Sequence, residues 1–170
     1  MVSKNLVTVL VLAAVIIATP SVVSVAFTTE TSAVTFFETI ADSTTISETW
    51  KGPNWIVEAS RIGTMTGDIS GDYTSIMRLV RHFKGTVEML VIIQQQFTID
   101  AAFGGYLGNL YITLNYRVEK PSTDLVVKGH WAITGGTGDL VNLHGQGNFT
   151  WYVEGSVQTR QFDGQVHFDP

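Results

Sequence analysis

The sequence contains no cysteine, and several kinds of chemistry are excluded with it. Without a thiol there is no cysteine nucleophile, no CxxC redox pair, no thiolate zinc site and no covalently attached haem. Charge is also sparse, because Asp, Glu, Lys and Arg make up only 15% of the chain. There are 10 basic residues against 15 acidic ones, a net charge of −5, and this balance argues against a nucleic-acid partner, which requires clustered cations.

The amino terminus carries an apolar run that is too short to span a membrane. Leu6 to Ala18 is uncharged and contains one Thr, whereas a spanning helix needs about 20 apolar residues. Thr19, Pro20 and Ser21 follow, and Ser24-Val25-Ala26 places small residues where a signal peptidase cleaves. Residues 1–26 are therefore predicted to form a signal helix that is removed after Ala26, and the alternative is an uncleaved membrane anchor.

The remaining residues, 27–170, are predicted to form a single domain, since one domain usually takes about 150 residues. Export to the periplasm, the cell surface or the medium follows from the signal peptide. The sequence leaves open whether the exported chain forms a homo-oligomer.

Alternation of apolar and polar residues dominates this domain, and no segment of helical period exceeds about two turns. The clearest strand is Tyr106 to Val118, and a second runs from Val87 to Ile99. Leu90 and Ile92 lie on the outer row of that second strand, which predicts that it is covered on both faces. Further strands are predicted at Val34–Ile40, Thr44–Trp50, Trp55–Ile69, Tyr73–Phe83, Leu125–Thr134, His144–Val153 and Ser156–Phe168.

Turn signals separate these strands, among them Gly71-Asp72, and one helical turn is predicted at Asp139–Leu143. Long antiparallel strands at regular spacing favour an all-β fold. A closed antiparallel β-barrel is the favoured architecture, because closure leaves no exposed strand edge.

Two segments carry a resemblance to a known family. Gly129 to Phe149 reads GHWAITGGTGDLVNLHGQGNF, and Thr66 to Tyr73 reads TGDISGDY. Together they resemble the two recurring motifs of the domain of unknown function 3224 family, which belongs to the allene oxide cyclase-like barrels. The resemblance implies an antiparallel barrel of about eight strands with a central cavity. It implies no catalytic residue, because that family has no established activity.

The glycines of the first segment have structural interpretations. Gly135, Gly136 and Gly138 would permit positive φ at a tight exit from a strand, and Asp139 could cap the turn that follows. Gly145 and Gly147 lie two residues apart on one face of a strand. The missing side chains would let the barrel bend sharply there or let a neighbouring aromatic ring lie flat.

Arg81 and Gln95 are the candidate ligand-binding residues. Arg81 shares an alternating row with Met77, Leu79 and Phe83, and Gln95 shares one with Val91, Ile93 and Phe97. If these rows line the barrel, the two polar groups could orient an apolar ligand that carries one anionic or carbonyl group. The alternative is that the strands emerge into solvent at these positions.

Other polar and aromatic residues carry weaker signals. Glu88 is predicted to lie on the outer row of its strand. It is either a solvated residue at the start of the strand or a buried carboxylate with a raised pKa. Glu58 and Arg61 point to opposite faces and form no pair. Asn148 begins an Asn-x-Thr sequon and is a glycosylation candidate in an exported chain, or an unmodified strand residue.

Histidines and tryptophans could also form sites. The four His residues fall on four different predicted strands, so no metal site is predicted. The four Trp residues could form a stacking platform for flat ligands or pack in the core and at the barrel ends. They are Trp50, Trp55, Trp131 and Trp151.

These observations predict an exported barrel that binds a small apolar or amphipathic ligand in its interior without catalysis and without a cofactor. One alternative is a cofactor-independent isomerase or cyclase that acts on a lipid-like substrate. Another is a structural or cell-surface protein with a barrel filled by side chains.

Overall fold

The computed structural model describes residues 30–119, 126–154 and 157–170. The predicted signal peptide, residues 1–26, lies outside this part of the chain. Eight strands and one 3₁₀ turn, Gly138–Leu140, make up the fold. The strands are β1 Ser32–Lys51, β2 Asn54–Gly67, β3 Ile69–Lys84, β4 Val87–Phe103, β5 Tyr106–Glu119, β6 Val126–Gly136, β7 Leu143–Glu154 and β8 Val157–Phe168.

The strands close into a ring, which confirms the predicted all-β, antiparallel architecture. Each strand pairs with the next along the chain, and β8 pairs with β1 to complete a closed barrel. The alternating apolar rows point inward because successive side chains of a strand point to opposite faces. Their buried side chains form one core, and the largest fully buried members are Trp131, Phe36, Phe97, Phe149, Phe162 and Met65.

Two strand boundaries differ from the sequence prediction. β1 is one continuous strand, because bulges between Ile40 and Asp42 and between Thr45 and Ser47 absorb the irregular pattern without ending the pairing. The turn between β2 and β3 lies at Asp68, where Gly67 has a φ of 116° and the Asp68 carboxylate accepts a hydrogen bond from the Thr35 amide. Gly71-Asp72, the predicted turn, stays inside β3.

The prediction that β4 is covered on both faces is wrong. Ile92 is 43% exposed on the outer surface. In the part of the chain that the structure describes, no second layer packs on the outside of the ring. The apolar residues of this outer row therefore belong to an open sheet face.

The two ends of the barrel differ. At one end the 3₁₀ turn and the start of β7 bring Leu140 and Leu143 into the interior, and both are fully buried. Above them Trp131 packs edge-on against Phe36 with ring centroids 5.3 Å apart. Side chains thus fill this half of the interior, called here the closed end. The opposite end, which carries the Gly52-Pro53 turn, is called the open end.

The seam between β1 and β8, where the ring closes, is paired over only a short length. These strands pair only from Ser32 to Glu38 on β1, and the last pair joins Glu38 to Arg160. From Thr39 to Lys51 the described pairing of β1 is with β2 alone. Among the residues that the structure describes, β1 therefore has an unpaired edge beside the open end, called here its free edge.

No helix in the described ranges is both long enough and apolar enough to cross a membrane.

Candidate functional site

A cavity of about 270 Å³ occupies the interior at the open end. Six strands contribute apolar walls and the polar groups that interrupt them. The lining residues are Arg61, Met77, Leu79, Arg81, Glu88, Val91, Ile93, Tyr116, Val118, Trp151 and Arg160. A wider groove of about 540 Å³ near Ile62 and Asp100 lies open on the surface. The interior cavity is the candidate site because it combines enclosure with convergent polar groups.

Arg160 forms an ion pair with Glu38 at the bottom of this cavity. Arg160 Nη1 lies 3.1 Å from Glu38 Oε2, and both side chains are buried. The Tyr73 hydroxyl donates a 2.7 Å hydrogen bond to the other carboxylate oxygen. The Arg160 guanidinium also lies 4.9 Å from the ring centroid of Trp151. Each oxygen of the Glu38 carboxylate therefore accepts one hydrogen bond, and its charge is balanced by Arg160.

Arg81 also has a carboxylate partner. Its Nε lies 3.5 Å from Glu88 Oε1, and its guanidinium lies 4.7 Å from the ring centroid of Trp55. Glu88 reaches the cavity because of a bulge in β4: His82 pairs with Leu90 and Phe83 pairs with Glu88, which leaves one extra residue between the two pairs. That bulge shifts the alternation by one residue, so the prediction that Glu88 lies on the outer row is wrong.

Arg61 is the third arginine of the cavity. In the described chain no carboxylate pairs with it, and its buried Nε and Nη1 atoms have no hydrogen-bond partner. Its guanidinium lies beside the Tyr116 hydroxyl. The Nε1 of Trp151 is also buried without a partner. Unsatisfied donors thus line the cavity, where an acceptor would stabilise them.

Two tyrosine hydroxyls of this region are held in their protonated form. Burial raises the pKa of Tyr73 far above its usual value, and the neighbouring Glu38 carboxylate raises it further. Burial also raises the pKa of Tyr116, although the positive charges of Arg160 and Arg61 oppose that shift. Both groups are therefore neutral hydrogen-bond donors at any physiological pH.

These shifts predict a loss of stability at alkaline pH. Because the unfolded tyrosines titrate near pH 10 and the folded ones above it, their contribution is complete below about pH 10 and is lost as the pH rises. Each group should lower the free energy of unfolding by about 1.4 kcal/mol per pH unit there. Tyr73→Phe should remove the contribution of one tyrosine to this pH dependence of the free energy of unfolding. Urea denaturation between pH 8 and 11 measures both slopes, and parallel curves for the two proteins would contradict the assignment.

The two predicted ligand-binding residues have different positions. Arg81 lines the cavity. Gln95 is only 1% exposed, so it does not emerge into solvent, and its Nε2 donates a 2.9 Å hydrogen bond to Ser75. Gln95 pairs in register with Met77, a lining residue, and is not itself part of the cavity wall. Its Oε1 has no partner.

The predicted turn residues are placed as follows. Among Gly135, Gly136 and Gly138 only Gly138 has a positive φ, of 61°, because the other two remain paired in β6. Asp139 does not cap the 3₁₀ turn. Its carboxylate instead accepts a 3.3 Å hydrogen bond from the Leu107 amide, which joins the turn to β5.

Gly145 and Gly147 lie on β7 as the sequence predicts. Gly147 pairs with Gly164 on one side and with Trp131 on the other. A Cβ atom at Gly164 would come within 2.5 Å of the Trp131 ring, so the ring lies against bare backbone at this position. Asn148, the glycosylation candidate, follows Gly147 on β7 and is exposed.

The histidines are closer together than the sequence predicts. His144 and His167 pair directly across β7 and β8, with ring centroids 5.7 Å apart, and each lies 3.3 Å from Asp169. In residues 30–119, 126–154 and 157–170, however, no group of three or more such side chains has an arrangement that could hold a metal ion.

The tryptophans do not form one platform. Trp50 stacks on Trp55 at 6.2 Å on the rim of the open end, Trp131 is in the core, and Trp151 lines the cavity.

Sequence reasoning missed Glu38, Tyr73, Tyr116 and Arg160. Each lies in an inward row among apolar residues, as Arg160 does before Phe162 and Val166. For Glu38 and Arg160 a charge in such a row was the available signal, although the row alone does not reveal its partner; the two tyrosines carried no such signal.

Comparisons with known proteins bear on the fold. No family profile matches the sequence, and no curated protein matches it. The chain is similar in structure to a protein of unknown function from the DUF3224 family of Shewanella oneidensis MR-1. The TM-score is 0.65 and the sequence identity is 14%, over 83% of this chain and 99% of that one. This chain has a DUF3224-like fold. At this identity the similarity shows the fold alone. A fold does not determine a function, which depends on the chemistry of the cavity.

Proposed function

We propose that this chain is an exported barrel that binds a small apolar or amphipathic ligand in the cavity at its open end. The observation that carries the proposal is the combination of an apolar wall with buried polar atoms that lack partners, on Arg61 and Trp151. Ligand pockets are typically apolar, with a few polar groups that orient the ligand. At about 270 Å³ the cavity suits a small molecule.

The carboxylates favour binding over catalysis. A general base needs a carboxylate or imidazole that is free to accept a proton. Glu38 already accepts hydrogen bonds from Tyr73 and Arg160, and Glu88 lies against Arg81. Each carboxylate is therefore paired with an arginine of the protein itself, although Glu88 Oε1 accepts no hydrogen bond.

Native mass spectrometry of the protein purified from its own host tests the proposal first. We expect an additional mass that is lost on denaturation. A bare protein that forms large assemblies would instead support a structural role.

A fluorescence titration with the neutral probe 1-aminoanthracene tests the position of the site. Leu79→Trp fills the cavity from β3 and should weaken probe binding at least tenfold, because the volume is lost. Ile76→Trp, on the exposed face of the same strand, is the matched control and should bind like the wild type. Equal binding by all three proteins would place the probe elsewhere and contradict the proposal.

A cofactor-independent isomerase or cyclase is the second candidate. The observation that favours it is the Tyr116 hydroxyl, a protonated donor that lines the cavity beside Arg61. Membership of the allene oxide cyclase-like group, which we also propose, would be consistent with such chemistry. Turnover of a lipid epoxide by the purified protein without added cofactor would move this candidate to first place.

Export is a separate part of the proposal and has its own test. Intact-mass analysis of the protein secreted by its host should give a chain that begins at Phe27, since Ser24-Val25-Ala26 precedes the expected cut. A mature chain that retains Met1 to Ala26 would instead support a membrane anchor.

A further inference from the structure

The charges in the cavity do not balance. Three of the five arginines of this acidic chain line it, namely Arg61, Arg81 and Arg160. Glu38 pairs with Arg160 and Glu88 pairs with Arg81. Arg61 has no carboxylate partner among the described residues, so the site has one uncompensated positive charge. A partly buried cation of this kind is stabilised when an anion completes the pair.

The unpartnered hydrogen-bond donors agree with this charge count. Arg61 Nε and Nη1 and Trp151 Nε1 are all buried without acceptors, and Arg81 Nε, which has Glu88 Oε1 at 3.5 Å as its countercharge, makes no hydrogen bond either. A planar guanidinium binds a carboxylate through two parallel N–H···O bonds, a geometry that a hydroxyl cannot reproduce. Arg61 and Trp151 line the same cavity, and Tyr116 packs beside both, with its ring centroid 6.5 Å from that of Trp151.

We propose that the ligand is a monocarboxylate, whose carboxylate is bound by Arg61 and Trp151 and whose apolar body lies against Leu79, Val91 and Val118. This inference rests on the proposed function and names the chemical class of the ligand. One negative charge is favoured over two, because the site lacks a single countercharge. The tail is short, because about 270 Å³ corresponds to the volume of roughly nine water molecules.

A matched ligand series tests this proposal on the wild-type protein. Octanoate, 1-octanol and octylamine share one chain length and differ in the head group, and each is used to displace 1-aminoanthracene. We expect octanoate to bind about ten- to a hundredfold more tightly than 1-octanol, the range expected for a charge-assisted hydrogen bond. Octylamine should bind more weakly than either, because it adds a positive charge.

Substitution of Arg61 tests whether this arginine is the cation that binds the carboxylate of the ligand. Arg61→Gln should lower octanoate affinity to the level of 1-octanol and leave 1-octanol binding within about twofold. Arg61→Lys, which keeps the charge and loses the planar fork, should be intermediate. Arg117→Gln removes an arginine from the exposed outer face and should leave all three affinities unchanged.

The outcomes separate this inference from the proposed function. If the probe and all three octyl ligands fail to bind, the proposed function fails. If they bind and 1-octanol equals octanoate in the wild type, the cavity is a binding site and the carboxylate preference is overturned. Equal loss of octanoate in Arg117→Gln and Arg61→Gln would also overturn the role of Arg61. The wild-type series decides the question even if Arg61→Gln does not fold.

Discussion

Arg160→Met is expected to lower the free energy of unfolding by about 3–5 kcal/mol, the usual cost of removing one partner of a buried ion pair. The substitution leaves the Glu38 carboxylate buried with Tyr73 as its remaining side-chain donor. It also acts at the last residue pair of the seam between β1 and β8. Urea denaturation at neutral pH measures the loss. We expect hydrogen exchange in β1 to accelerate first, because the seam opens there.

The double variant Glu38→Gln/Arg160→Met is the matched control. It removes both charges and keeps an amide oxygen that can accept the Tyr73 hydrogen bond, so most of the lost stability should return. Arg117→Met breaks the exposed pair with Glu119 and should change stability by less than about 1 kcal/mol. A double variant as unstable as Arg160→Met would show that the loss comes from packing and not from charge.

Trp131→Ala is expected to cost about 3–5 kcal/mol, as large-to-small changes of buried aromatic residues do. The ring is 2% exposed, packs against Phe36, and lies on backbone that has no Cβ atom at Gly164. Its Nε1 also donates a 3.3 Å hydrogen bond to the Asp163 carbonyl. No side chain is attached where the ring contacts Gly164, so the cavity cannot close from that side.

Two substitutions control for this prediction. Trp131→Phe keeps an aromatic ring and loses the hydrogen bond, so it should cost clearly less than Trp131→Ala. Trp50→Ala removes a ring that is 62% exposed on the rim and should have a small effect on unfolding. Chemical denaturation of the three variants gives the comparison. A Trp50→Ala loss as large as that of Trp131→Ala would contradict the view that the core depends on the Trp131 ring.

The fold could be predicted largely because alternation is local. Each strand shows its inward row directly, as β5 does from Leu110 to Val118. Boundaries that depend on a bulge or on a distant hydrogen bond were missed. The turn at Asp68, for example, is fixed by the Thr35 amide, which lies 33 residues away in the chain. The bulges in β1 likewise depend on how β2 pairs with it.

The site could be predicted only in part. Arg81 was found because a charge interrupts an apolar row. The pairing of Glu38 with Arg160 joins residues 122 positions apart, and only closure of the ring brings them together. Glu88 was assigned to the wrong face because one extra residue in β4 reverses the alternation. Which arginine lacks a partner could therefore not be read from the rows alone.

The free edge of β1 has a consequence for self-association. From Thr39 to Lys51 this edge offers backbone groups to any extended chain, including another copy of the same strand. The bulges at Ala41 and Ile46 divide it into three regular runs, Thr39–Ile40, Asp42–Thr45 and Ser47–Lys51. Each run is shorter than the six or seven residues, roughly, that a stable cross-β segment requires. The edge is thus long enough to pair with another strand, but its regular runs are too short to template a fibril.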